Sequence, residues 1–146
     1  MNSADYTDLI GIPFANRGRD VKSGLDCYGL VREVYRKNGI ELPEYNADYD
    51  DKEKINELMD FATHSKSVWR KVEGNNIPVP CVIAMRFNVP KGYVNHAAVY
   101  IGAGKFLHIR ENAGSCIEKI NSPMWKMLIE GFYEYIGDRN GKASNN

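Results

Sequence analysis

The sequence predicts an α+β domain, with helices early in the chain and an antiparallel sheet of about five strands after them. In the first half, apolar residues recur at helical spacing: Tyr6, Leu9 and Ile10, then Leu30, Val31, Val34 and Tyr35, then Ile55, Leu58, Met59 and Ala62. From Val68 onward the apolar runs are short, β-rich and punctuated by Gly, Pro and Asn. Two of those runs flank Gly102-Ala103-Gly104, the pattern of a hairpin.

Taken in order, residues 3–11 read as a first helix, with Ser3 or Asp5 as its cap and Gly11-Ile12-Pro13-Phe14 as its end. Residues 15–25 are a loop rich in glycine and charge, carrying Arg17, Arg19, Asp20 and Lys22. The simplest place for those cations is solvent; the alternative is that Arg17 and Arg19 grip carboxylates of a substrate. Asp26 is a favoured N-cap residue and opens a helix with Cys27 in its first turn, which Asn38-Gly39 stops. A further helix spans residues 50–64.

Val68 to Val72 alternates and reads as an edge strand, and Cys81 to Phe87 as a central one. Val94 to Ile101 and Lys105 to Arg110 form the hairpin, and Ser115 to Ile120 adds a short strand. Ser122-Pro123 opens a short helix carrying Trp125, Leu128 and Ile129, because serine caps and proline suits the first helical position. Phe132 to Ile136 is the last strand. Residues 1–137 thus make a single domain, and residues 138–146 a polar tail.

The bulk chemistry excludes several functions. The 146 residues are enough for one core, with 43% hydrophobic and 26% charged residues. Nineteen basic residues balance nineteen acidic ones, so no electrostatic case exists for a nucleic-acid or anionic-membrane partner. No apolar run approaches the roughly 20 residues of a membrane span. Met1-Asn2-Ser3-Ala4-Asp5 lacks the basic start and apolar centre of a signal peptide, so the expectation is cytoplasmic synthesis with delivery by some other route. Cys27, Cys81 and Cys116 are far apart, with no Cys-x-x-Cys pair, which argues against a disulfide framework or a metal site.

The chemistry concentrates around Cys27. A thiol in the first turn of a helix feels the positive end of the helix dipole, which favours thiolate. A nucleophile needs a base, and His64, His96 and His108 are the candidates. His64 ends a charged helix and belongs to solvent. His96 begins a strand in which it shares a face with Ala98 and Tyr100. A three-residue hairpin loop pairs Ala98 with His108 and His96 with Arg110, placing both histidines on one face. A two-residue loop slips the register and separates them. In the first case the pattern fits cysteine acyl transfer, with Cys27 as nucleophile, His96 as base and His108 orienting His96. Backbone N–H groups at the head of the helix would form an oxyanion hole, with Asp26 and Tyr28 as supporting residues.

Three segments carry a resemblance. Asp26-Cys27-Tyr28-Gly29-Leu30-Val31, Asn95-His96-Ala97-Ala98-Val99-Tyr100-Ile101-Gly102 and Gly104-Lys105-Phe106-Leu107-His108 together resemble the NlpC-type cysteine peptidases. Those are papain-like enzymes that cut the peptide stems of the bacterial cell wall. Carried over, the resemblance implies Cys27 as nucleophile, His96 as base, His108 as third residue, and no cofactor. It implies the bond from γ-D-glutamate to diaminopimelate or lysine as substrate. Tyr28 in place of the usual serine, with the run around Leu30 and Gly39-Ile40-Glu41-Leu42-Pro43, resembles the branch carried by phage tails, which implies tail proteins as partners. Phe14 stands where many members have a tyrosine, so a hydroxyl that helps line their site is missing here. Two other readings stay open: a tail-tip assembly protein that keeps the fold, and an acyltransferase using the same residues.

Overall fold

The computed structural model describes residues 5–44 and 68–138. Two short strands, β1 (Arg19–Asp20) and β2 (Gly24–Leu25), pair antiparallel ahead of helix α1 (Cys27–Lys37). The main sheet follows: β3 (Trp69–Lys71), β4 (Cys81–Met85), β5 (His96–Gly102), β6 (Lys105–Arg110) and β7 (Gly114–Lys119). Helix α2 (Pro123–Leu128) then leads into β8 (Ile129–Tyr135). The strand order is β3-β8-β4-β5-β6-β7, antiparallel at every junction. The sheet therefore has six strands where about five were expected, and the expected edge strand at 68–72 is the sheet's edge, β3. The helix expected over 50–64, with His64, lies outside the described residues, as does most of the tail expected over 138–146.

Strand alternation gives the sheet two apolar faces. Val82, Ala84, Ala97, Val99, Leu107 and Ile109 belong to one core with Leu30, Val31 and Val34 of α1, which packs across β5 and β6. Ile83, Met85, Ala98 and Phe106 belong to a second core, closed by Trp125 of α2. Each fully buried aliphatic side chain in these layers contributes roughly 1.5–3 kcal/mol of transfer free energy.

Two expectations change at the front of the chain. In place of a helix over residues 3–11, the described part holds one 3-10 turn, Thr7–Leu9, which Asp5 stabilises by accepting from the Thr7 N–H at 3.0 Å. The chain cannot continue as helix because its backbone is claimed by β7. Gly11 N–H donates to the Ser115 carbonyl and Ser115 N–H to the Ile12 carbonyl, both at 2.9 Å. The 15–25 segment, expected as loop throughout, contains the β1–β2 pair.

The hairpin resolves the register question in an unexpected way. Its turn has two residues, Ala103 and Gly104, both at positive φ (56° and 72°), and Gly102 pairs with Lys105. A bulge at Ile101 then absorbs one residue, so that Tyr100 faces Phe106 and Val99 faces Leu107. Continued along the strands, this register sets Ala98 beside His108 and His96 beside Arg110. The short loop alone would have separated the histidines; the bulge brings them back to one face.

Candidate active site

The head of α1 is built from the segment before it. Asp26 Oδ1 accepts from the Gly29 N–H at 2.7 Å and caps the helix, while the Asp26 N–H donates to the Gly18 carbonyl at 3.2 Å. Gly29 is required by that approach: a Cβ there would lie 2.3 Å from the Gly18 carbonyl oxygen. The small residue of the Asp26-Cys27-Tyr28-Gly29 motif is thus where the loop presses against the helix.

Arg19 occupies neither of its expected places. Its guanidinium lies inward, with Nη1 2.5 Å from Asp26 Oδ1 and Nε 2.6 Å from Glu44 Oε1. Arg32 joins the same cluster through Glu41 and Glu44. Arg19 is thereby a brace for the cap carboxylate, which is only 2% exposed. Arg17 sits in a turn with φ of 60° and is exposed. Tyr28 is buried under Arg19, 5.6 Å from the guanidinium carbon to the ring centroid, and donates its hydroxyl to the Pro43 carbonyl at 2.6 Å. Its side chain secures the exit of α1, which leaves only its backbone N–H for the supporting role expected of it.

Asp26→Ala is expected to destabilise the fold by about 1–3 kcal/mol, since it removes the cap and takes one carboxylate partner from the half-buried Arg19, Glu44 remaining. Asp26→Asn, which keeps a capping oxygen, should recover part of that loss in urea denaturation.

Cys27 is the first residue of α1 and is 1% exposed. It belongs to the same apolar cluster as Val94 and Ala97, the residues bracketing Asn95-His96. His96 and His108 are brought together directly, with His96 Nε2 3.2 Å from His108 Nδ1 and both rings buried. Aromatic rings fix their orientation: Phe87 lies 4.6 Å from the His96 ring, and Trp125 and Phe106 lie 4.8 and 5.3 Å from that of His108. Trp125, placed by the sequence on a short helix, packs on His108.

The far side of His108 faces β7. Its Nε2 is 4.0 Å from Glu118 Oε2, and Cys116 Sγ completes a group whose ligand atoms lie within 4.8 Å of one another. The carboxylate favours a proton on His108 Nε2, leaving Nδ1 as an acceptor. His96 then donates from Nε2, and its Nδ1 is the free basic nitrogen. Burial, then His108 and Arg110, hold His96 well below its ordinary pKa; burial and Arg110 bring His108 down to about 4. Both rings are neutral at pH 7.

His96 also lines a cavity of about 460 Å³ with Phe14, Phe87, Asn88, Asn95, Ile109, Arg110, Glu111, Asn112 and Ala113. Phe14 contributes an apolar ring there, and its backbone bridges to Leu25, two residues before Cys27. Sequence reasoning missed Phe87, Asn95 and Arg110 as site residues. Asn95 clamps the backbone of Phe87, accepting from its N–H at 2.8 Å and donating to its carbonyl at 2.9 Å. The available signal was its place directly before His96 in the motif.

A thiol at the head of a capped helix, packed on an antiparallel sheet that carries paired histidines, is the arrangement of a papain-like α+β domain. The NlpC/P60 family profile matches residues 11–133, and the chain belongs to the NlpC/P60 family. It is 28% identical over 127 residues to the gamma-DL-glutamyl hydrolase of Bacillus subtilis strain 168, covering 86% of this chain and 27% of that protein. It is 29% identical over 122 residues to the murein DD-endopeptidase MepS/murein LD-carboxypeptidase of Escherichia coli K12, covering 83% of this chain and 54% of that protein. Among solved structures, an NlpC/P60 family protein from Bacillus cereus ATCC 10987 superimposes with a TM-score of 0.62 at 23% identity, over 87% of this chain and 36% of that one. The chain thus spans between about a quarter and about half of the curated relatives it matches. No helix among the described residues is long and apolar enough to cross a membrane.

Proposed function

We propose that this domain is a cysteine endopeptidase of cell-wall stem peptides, cutting the bond between γ-D-glutamate and diaminopimelate or lysine through an acyl-enzyme on Cys27. The observation that carries the proposal is the buried His96–His108 pair, ring nitrogens 3.2 Å apart, in a chain whose thiol opens a capped helix. The names of the two curated relatives support the substrate class.

In this scheme His96 Nδ1 takes the Cys27 proton as Sγ attacks the γ-carbonyl carbon. The negative oxygen of the tetrahedral intermediate is met by backbone N–H groups at the head of α1. The intermediate collapses as His96 returns the proton to the leaving amine, and water, deprotonated by His96, then releases the γ-glutamyl carboxylate and frees the thiol. His108 keeps the imidazole in its productive tautomer throughout. No cofactor or metal takes part in this scheme.

Delivery to the wall as part of a phage tail rests on the resemblance around Tyr28 and Leu30 alone. The test of the activity is digestion of purified peptidoglycan by wild type and by Cys27→Ala, with released fragments identified by mass spectrometry. Stem fragments ending in γ-D-glutamate are expected from wild type only. Equal release by both proteins would remove Cys27 from the mechanism, and release that requires an added amine would make the protein a transferase.

A further inference from the structure

We propose that Arg110 is the specificity residue of this site, binding the free α-carboxylate of a γ-linked glutamyl residue while its γ-carbonyl is presented to Cys27. The inference rests on the peptidase reading for the identity of the ligand and on Arg110's own surroundings for the rest.

Arg110 ends β6 on the face of His108, and the β5–β6 register sets it across from His96. Its guanidinium lies over the Phe87 ring at 4.8 Å, and the same ring packs on His96 at 4.6 Å. Phe87 therefore serves as a common platform for the proposed base and for a cation, both lining the cavity. Among the described residues no carboxylate pairs with Arg110, whereas Arg19, Arg32, Arg36, Arg70 and Arg86 are all in ion pairs. Glu111 lines the same cavity. The charge is felt inside the site, since Arg110 helps depress both histidines.

Such a cation is suited to a substrate anion. A planar guanidinium can hold a carboxylate by two parallel hydrogen bonds. Arg17 and Arg19, the cations sequence suggested for this task, are in the wrong places: one on an exposed turn, the other locked to Asp26 and Glu44.

The experiment measures binding of a γ-D-glutamyl-L-lysine peptide to the Cys27→Ala protein, with the α-carboxyl group either free or amidated. The free acid is expected to bind about tenfold to a hundredfold more tightly than the amide, the worth of a charge-assisted pair. Arg110→Gln should erase that difference, and Arg110→Lys should restore part of it. Equal affinities in the Arg110 protein, no binding of either peptide, or a preference that survives Arg110→Gln would each overturn the proposal. Cleavage by wild type is scored separately. Arg110-dependent discrimination without any cleavage would sustain the carboxylate site and refute the peptidase.

Discussion

Cys27→Ala and His96→Gln are each expected to lower kcat/KM on a γ-glutamyl peptide by on the order of 10⁴-fold, and the double variant by no more than either single. The reason for near-complete non-additivity is that the two groups act as one device. Without the thiol no acyl-enzyme forms, and His96 has no proton to accept. Without a base the thiol is held near the interior of the domain at 1% exposure, where charge is disfavoured apart from the help of the helix dipole. Glutamine at 96 is the informative choice, because its amide can still donate toward His108 Nδ1 and fill most of the ring's volume, yet cannot take a proton. Near-ultraviolet circular dichroism should therefore match wild type. His108→Ala should cost less, about tenfold to a hundredfold, as an orienting partner and not a reacting group. Retention of activity within tenfold by His96→Gln would dismiss His96 as the base, and a double variant slowed by the product of the singles would mean that the two side chains act in separate steps.

The central helix and the strand runs were legible in the sequence because local chemistry agrees with the global fold there. Asp26 caps, the apolar period is helical, and Asn38-Gly39 stops the helix where α1 ends. The hairpin was legible only in part. Sequence offered two loop lengths with opposite consequences, and the outcome combines a two-residue turn with a bulge at Ile101, a compensation no turn rule specifies. The first helix failed because tertiary pairing with Ser115, more than 100 residues away, outweighed local periodicity. The cations failed for the same kind of reason. Charge in a glycine-rich loop suggests solvent or ligand, but Asp26 and Glu44 claim Arg19, and nothing local marks Arg110 as the arginine left over Phe87. Side-chain pairings set by distant segments decide which charge is structural and which is available.

The two buried histidines also set the acid limit of the fold. Stability is expected to fall steadily as pH drops from about 6.5 to about 4, by on the order of 3 kcal/mol from His108 alone. The sign follows from proton counting. An unfolded histidine binds a proton near pH 6.5, whereas His108 in the fold does so only near pH 4, and His96 lower than its ordinary value. Across that window the unfolded chain holds more protons, so acid draws the equilibrium toward it; above pH 6.5 the contribution is fully present. The charges facing the pair act in opposite directions. Arg110 on β6 resists protonation, while Glu118 on β7, 4.0 Å from His108 Nε2, favours it without reversing the depression. Carboxylates held low by partners, such as Glu41 beside Arg36, add their own loss only below about pH 4.5 and so fall outside most of the window. Urea midpoints measured between pH 7 and pH 4.5 should therefore slope for wild type and slope less in His108→Gln, which keeps only His96 as a buried imidazole of the pair. A wild-type midpoint that stays level over that range would mean that the pair already shares a proton at neutrality, and the basic Nδ1 assigned to His96 would then be lost with it.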